Sequence, residues 1–168
     1  MDEMFGKQEK QGRFSPVFIV GALVGVIAIG GLIYLLSQRP SIEDQTAQIL
    51  AGALREGTPE FAELNKDILI ETDENTVESP TGLGTISMFI RGNILNRSKK
   101  TIKALEVNVK VIDLKRNVLK ERNVLVVPVQ RPELGPGERM QANLTLDGFP
   151  PKSERAQINW KVTAIKAE

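Results

Sequence analysis

The chain has 168 residues, with 22 Lys plus Arg against 21 Asp plus Glu, and it contains neither Cys nor His. Those absences exclude disulfides, thiolate nucleophiles, Cys or His zinc sites and imidazole acid–base chemistry. The near balance of charge gives no electrostatic reason to expect a nucleic-acid partner.

Residues 1–16 are polar and read as a cytoplasmic tail. Val17 to Leu36 follows without a charge. At about 1.5 Å per residue this stretch spans roughly 30 Å as a helix, the thickness of a bilayer's hydrocarbon core. It is predicted to be a single transmembrane helix, 17–36, acting as an uncleaved anchor. A secretory signal has an apolar run of about 7–15 residues and a small-x-small cleavage site; Leu36-Ser37-Gln38-Arg39-Pro40 offers no such site. Lys7, Lys10 and Arg13 precede the helix and Arg39 follows it. The positive-inside rule therefore places the N-terminus in the cytoplasm and the remainder outside it. The expected location is the cell inner membrane, single-pass, with a periplasmic C-terminal part. Gly21, Gly25 and Ala28 form a small-residue stripe on this helix, a candidate contact with another helix and a route to a homodimer.

Residues 37–67 are predicted to be a helical linker. Ser41 is an N-cap with Asp44 closing the capping box. Ile42, Ile49, Leu50, Ala53 and Leu54 recur at helical spacing, and Gly57 stops the helix. Thr58 caps a second short helix with Pro59 at its first position, and Phe61 and Leu64 share a face.

From Ile68 the period changes to two. Residues 68–168 are predicted to be an antiparallel β-sandwich, making the chain mainly β. Ile68–Ile70 opens it, and Glu71–Gly84 reads as loop. Strands are expected at Thr85–Asn96, Ile102–Asp113, Val118–Val129 (broken by the polar run Lys120–Asn123), Arg139–Leu146 and Gln157–Ile165. With Arg97–Lys100 as loop, the first two long strands register as a hairpin: Met88 opposite Val109, Ile90 opposite Val107, and Arg91 opposite Glu106 on the back. That register leaves Phe89 and Ile112 as apolar residues on the polar side, a candidate interaction patch. In the last strand Ile158, Trp160, Val162 and Ala164 alternate with polar residues, and Trp160 is a core aromatic.

Gly92-Asn-Ile-Leu-Asn96-Arg-Ser98, the alternating Leu105, Val107, Val109 and Val111 ending at Asp113, and Leu134-Gly-Pro136-Gly137-Glu138 together resemble FxLYD-type domains. These are small extracytoplasmic sandwiches of prokaryotic envelope proteins. The pattern covers Gly84 to Ile165. It departs from the family at both aromatic positions of the signature strand, which reads Val109-Lys-Val-Ile-Asp113, and at the following turn, where Lys115-Arg116-Asn117 replaces the usual glycine. The resemblance implies an immunoglobulin-like sandwich without a shared catalytic site.

The remaining motifs are weak. Asn96-Arg-Ser98 and Asn143-Leu-Thr145 match a glycosylation acceptor by spacing alone. Arg97–Lys100 and Lys115-Arg116 read as separate solvated turns. Asp73-Glu74-Asn75 offers oxygens but not the spacing of a cation loop. No nucleophile elbow or phosphate loop is present. The expectation is a non-enzyme with no cofactor and no metal: an anchored envelope protein whose sandwich is a structural or protein-interaction module. Its expected partners are the lipid bilayer and a membrane or envelope protein. The alternative is a single-span accessory subunit of a multi-subunit membrane complex, respiratory or photosynthetic.

Overall fold

The computed structural model describes residues 16–38 and 41–168. The expected tail, with Lys7, Lys10 and Arg13, lies outside the described residues apart from Pro16, as does Arg39. The described residues fall into two compact units, divided between Asp44 and Gln45.

In the first unit the apolar run forms one helix, α1 (Pro16–Ser37), with no acidic residue in its first turn and no basic residue in its last. Its spanning stretch, Val17–Ser37, has a mean hydropathy of 2.6 and no buried residue in its most apolar window. The next helix, α2 (Ile42–Ile49), starts as its cap demands. The Ser41 hydroxyl accepts from the Asp44 N–H at 3.0 Å, and the Asp44 carboxylate accepts from the Ser41 N–H at 3.2 Å. Two orphan donors are thereby satisfied reciprocally.

After α2, within the second unit, comes an outcome that helical spacing did not foretell. The helix does not continue through Leu54. Gly52, at φ 74°, turns the chain, and Leu54–Arg55 forms a short strand, β1, beside Ile165 and Ala164. Helix α3 (Pro59–Lys66) then begins on its Thr58 cap, whose hydroxyl accepts from the Phe61 N–H at 3.3 Å. Phe61 is buried and Leu64 packs beside it, as their shared face predicted.

The strands that follow are β2 (Ile68–Thr72), β3 (Val77–Pro80), β4 (Ile86–Asn96), β5 (Ile102–Ile112), β6 (Val118–Val127), β7 (Arg139–Phe149) and β8 (Gln157–Ala167). All pairings are antiparallel. One sheet runs β1-β8-β5-β6. In the other, β7 lines one edge of β4, while β2 and β3 pair with successive halves of its opposite edge. The expected mainly β, antiparallel fold is observed, and the inner faces of both sheets share one core.

The expected hairpin is not observed. β4 and β5 belong to different sheets, so Arg97–Lys100 is a corner between layers and not a hairpin loop. The inward residues of the expected register, Met88 and Ile90 from β4 and Leu105, Val107, Val109 and Val111 from β5, nonetheless face the core, where Ile94 joins them. They meet across the sandwich instead of along a ladder. Both arrangements impose the same period of two. Glu106 accordingly has no Arg91 opposite it. It is buried on the outer side of its own sheet, where its carboxylate accepts from the Thr163 hydroxyl at 2.6 Å.

Three smaller differences have clear causes. Val77–Pro80, inside the expected loop, is an edge strand exposed at all four positions, so it shows no alternation. β6 runs unbroken through Lys120–Asn123 because its polar side chains pair with β5: Asn108 donates to Asn123 at 2.7 Å, and Lys110 lies 3.7 Å from Glu121. In β8 the ladder shifts register opposite Glu106 and Val107. Ala164 therefore leaves the inner face and joins Leu50, Ala104 and Leu125 in a second apolar cluster, against which Ile49 and Ala53 pack. The end of α2 and the turn after it thus cover the outer face of the β5–β8 sheet.

Candidate interaction surfaces

On α1, Gly21, Gly25 and Ala28 recur at the spacing of one helix face. A Cβ added at Gly21 or Gly25 would meet nothing within 4 Å. The stripe offers backbone for close approach, and among the described residues nothing fills it within that distance.

The pair Phe89 and Ile112 is not brought together. Phe89 is half-buried on the outer face of β4, where the Arg91 guanidinium lies 5.1 Å from its ring centroid. Ile112 is buried, 9% exposed, at the end of β5 in the other sheet. The patch required hairpin pairing, and without it the two residues share no face.

The residues behind the family resemblance prove to be structural. Asn96 is fully buried. Its amide nitrogen donates to the carbonyls of Lys100 at 2.8 Å, Leu134 at 3.0 Å and Gly135 at 3.0 Å. Its oxygen accepts from the Ser98 N–H at 3.0 Å and the Ser98 hydroxyl at 2.7 Å. One side chain therefore ties the β4–β5 corner to the Leu134–Gly137 turn. Glu138 closes that turn by accepting from the Gly135 N–H and from Arg131, both at 2.8 Å. The Asn96 amide of the first glycosylation match is thus enclosed and committed, whereas Asn143 of the second is exposed.

Gly92 has an equally local reason. A Cβ there would lie 2.6 Å from Cζ2 of Trp160. The indole packs close to bare backbone and donates from Nε1 to the Thr72 hydroxyl at 3.0 Å. Trp160 does pack against the core, but it is only half-buried.

Asp73 is surrounded by amides. It accepts from the Asn75 N–H at 2.8 Å, from the Asn75 side chain at 2.6 Å, and more distantly from Gln141 and Asn93. The Asn75 backbone N–H foremost, then its side chain, holds the carboxyl below the usual aspartate value. Among the described residues no group of three or more acidic side chains could hold a metal ion.

Arg155 was not legible as special. It grips Glu78 with two donors, Nε at 2.6 Å and Nη2 at 2.5 Å, and its side chain is only 13% exposed. The same guanidinium donates to the Ser153 hydroxyl at 2.9 Å and lies 5.8 Å from the Phe149 ring centroid. It clasps β3 to the β7–β8 connection. The Glu78 hydrogen bonds raise its already high pKa.

Two concavities are notable. A groove of about 560 Å³ lies between α3 and the β4–β5 corner, with Glu60, Glu63 and Asp67 on one wall and Arg97, Lys99 and Lys100 on the other. A cleft of about 350 Å³ is lined by Thr72, Met88, Val111 and Ile158 together with Arg155, Ala156 and Gln157.

No family model matches the chain, and no curated protein sequence matches it. Solved structures are similar at low identity. A DUF1425 family member from Shewanella sp. pv-4 is 13% identical over 56% of this chain and 75% of its own, with a TM-score of 0.33. A structural-genomics target designated SoR45 is 14% identical over 62% and 86%, with a TM-score of 0.41. A Bordetella pertussis protein given the name ApaA is 16% identical over 60% and 91%, with a TM-score of 0.38. The N-terminal helix has the length and composition of a membrane anchor or a signal sequence.

Proposed function

We propose that this is a non-catalytic, single-pass membrane protein whose β unit acts by contact with a membrane or envelope protein. The observation that carries the reading is α1: a charge-free helix with none of its most apolar window buried, followed by a unit with its own core. Apolar side chains left uncovered along a whole helix require a non-aqueous surrounding. The anchor is favoured over a signal sequence because the run exceeds the usual signal length and lacks a small-x-small site. Lys7, Lys10 and Arg13 against Arg39 support an N-terminus in the cytoplasm and a periplasmic β unit. The stripe Gly21, Gly25 and Ala28 supports a helix–helix contact, with a second copy or another span. The lack of Cys and His, with no nucleophile motif, supports action without chemistry.

The test is topology together with retention. A reporter active only outside the cytoplasm is expected to work when fused after Glu168 and to be silent at the N-terminus. Purification in mild detergent is expected to retain a specific membrane or envelope protein, and Gly25→Leu to weaken self-association or that retention. The reversed reporter pattern overturns the orientation. A chain that purifies alone at native abundance overturns the interaction role.

A further inference from the structure

Helix α3 lines the groove of about 560 Å³ with one face. Glu60, Glu63, Leu64 and Asp67 recur at i, i+3, i+4 and i+7, and all four border it. Opposite them Arg97, Lys99 and Lys100 come from the β4–β5 corner. The two walls are joined at the backbone, where the Arg97 N–H donates to the Asp67 carbonyl at 2.7 Å. The corner is itself pinned, because Asn96 holds the Lys100 carbonyl at 2.8 Å.

Each wall repels itself. Glu60 and Glu63 stand three positions apart, and Glu63 and Asp67 four, spacings at which like charges destabilise a helix. Asp67 is also the C-cap, where the helix dipole disfavours an anion. The facing cations would relieve this, yet among the described residues none of the six charged groups joins a salt bridge. Elsewhere on this unit opposite charges that meet do pair, as Lys103 with Glu133 and Lys161 with Glu56. The groove thus holds three anions and three cations apart, across a cavity of ordinary ligand size. Arrangements that break local rules in this way are kept at functional sites.

The chemistry of the ligand follows from the walls. To satisfy both, it must carry a cation and an anion at once. A tetrahedral phosphate presents its oxygens in more directions than a planar carboxylate, which suits donors from three side chains, one of them a guanidinium. Three carboxylates suit a primary ammonium, which has three donors. Leu54 and Leu64, both half-buried, offer apolar surface to the carbons between the two charges.

We propose that this groove binds an aminoalkyl phosphate. Its ammonium sits against Glu60, Glu63 and Asp67, and its phosphate against Arg97, Lys99 and Lys100. The same chemistry occurs in a free phosphate monoester and in the headgroup of an ethanolamine lipid.

The experiment uses the full chain, isotope-labelled, in a maltoside detergent, and reads backbone amide shifts. The probe is ethanolamine phosphate. It is expected to shift residues 60–67 and 97–100 saturably and to leave β6 unmoved. Inorganic phosphate and ethanolamine, the two halves of the probe, are each expected to bind at least about tenfold more weakly. Glu63→Gln with Asp67→Asn is expected to reduce the probe's affinity to that of phosphate, without weakening phosphate itself. Lys99→Gln with Lys100→Gln is expected to reduce it to that of ethanolamine, without weakening ethanolamine. All four side chains are exposed, so both variants are expected to unfold at the parent's urea midpoint. Two further probes separate the sources, glycerophosphoethanolamine and nanodiscs of phosphatidylethanolamine set against phosphatidylcholine. Shifts with the monoester alone support a soluble ligand; shifts with the diester and the ethanolamine discs support a lipid headgroup. No saturable shift with any of these probes overturns the proposal. So does phosphate binding as tightly as the probe, which would leave only an anion patch. Triglycine, a zwitterion without phosphate, is expected not to bind, and equal binding of it overturns the assignment to phosphate.

Discussion

Gly92→Ala adds one methyl at the most constrained glycine of the sandwich. The new Cβ would sit 2.6, 2.8 and 3.0 Å from three ring carbons of Trp160. Two effects oppose each other. Alanine loses less backbone entropy than glycine in a strand, which favours the variant by about 0.5–1 kcal/mol. Overpacking a filled site costs about 1–3 kcal/mol. If the indole retreats, its bond to Thr72 goes too, at about 0.5–1.5 kcal/mol. The ring cannot slip aside cheaply, because it packs on the core and is held at Nε1. The net expectation is a loss of about 1–3 kcal/mol. With a urea dependence of about 1–3 kcal/mol per M, the unfolding midpoint should fall by roughly 1 M. Trp160→Leu should relieve the clash, so the double variant should be less destabilised than the sum of the singles by at least about 1 kcal/mol. A neutral Gly92→Ala, or strict additivity in this cycle, would refute the account of why glycine stands there.

Asn96→Ala should cost about 3 kcal/mol or more in the same titration, since it strands several buried partners, whereas exposed Asn143→Ala should cost less than about 0.5 kcal/mol; comparable losses would mean that the corner network is incidental. Arg116 holds φ 67° in the β5–β6 turn, where a side chain is strained, so Arg116→Gly should raise stability by up to about 1 kcal/mol, and a lower unfolding midpoint would contradict that. Asp113 lies below the ordinary aspartate value of 3.8, chiefly because the Asn117 side chain donates to its carboxylate, and Asp73 is lowered by Asn75. A depressed folded pKa means stability present above the unfolded value and lost as pH falls through the folded one. The midpoint should therefore fall below about pH 4, and the fall should be shallower in the Asp73→Asn, Asp113→Asn double variant; an unchanged slope would remove these two groups from the acid response.

Local features were legible because they depend on neighbours in sequence. The Ser41 and Thr58 caps, the start of α3 and the inward faces of β4 and β5 all follow from spacing over a few residues. The partner of each face was not legible. Alternation says which side of a strand is apolar, and it is silent on whether the apolar side meets a ladder neighbour or the opposite layer. Arg97–Lys100 has the length of a hairpin loop, yet Asn96 binds Leu134 and Gly135 there, a contact 38 residues away that turns the chain into the other sheet. The same long range hid Arg155–Glu78, 77 residues apart. β1 is two residues long and β3 is exposed throughout, so neither carries a period.

The central claim is that α1 remains in the mature protein as its anchor. Intact mass spectrometry of the native protein, after carbonate washing of the membranes, tests it most directly. The account predicts a carbonate-resistant chain whose mass includes residues 17–36. A soluble chain beginning after Leu36 would make α1 a signal sequence and contradict it.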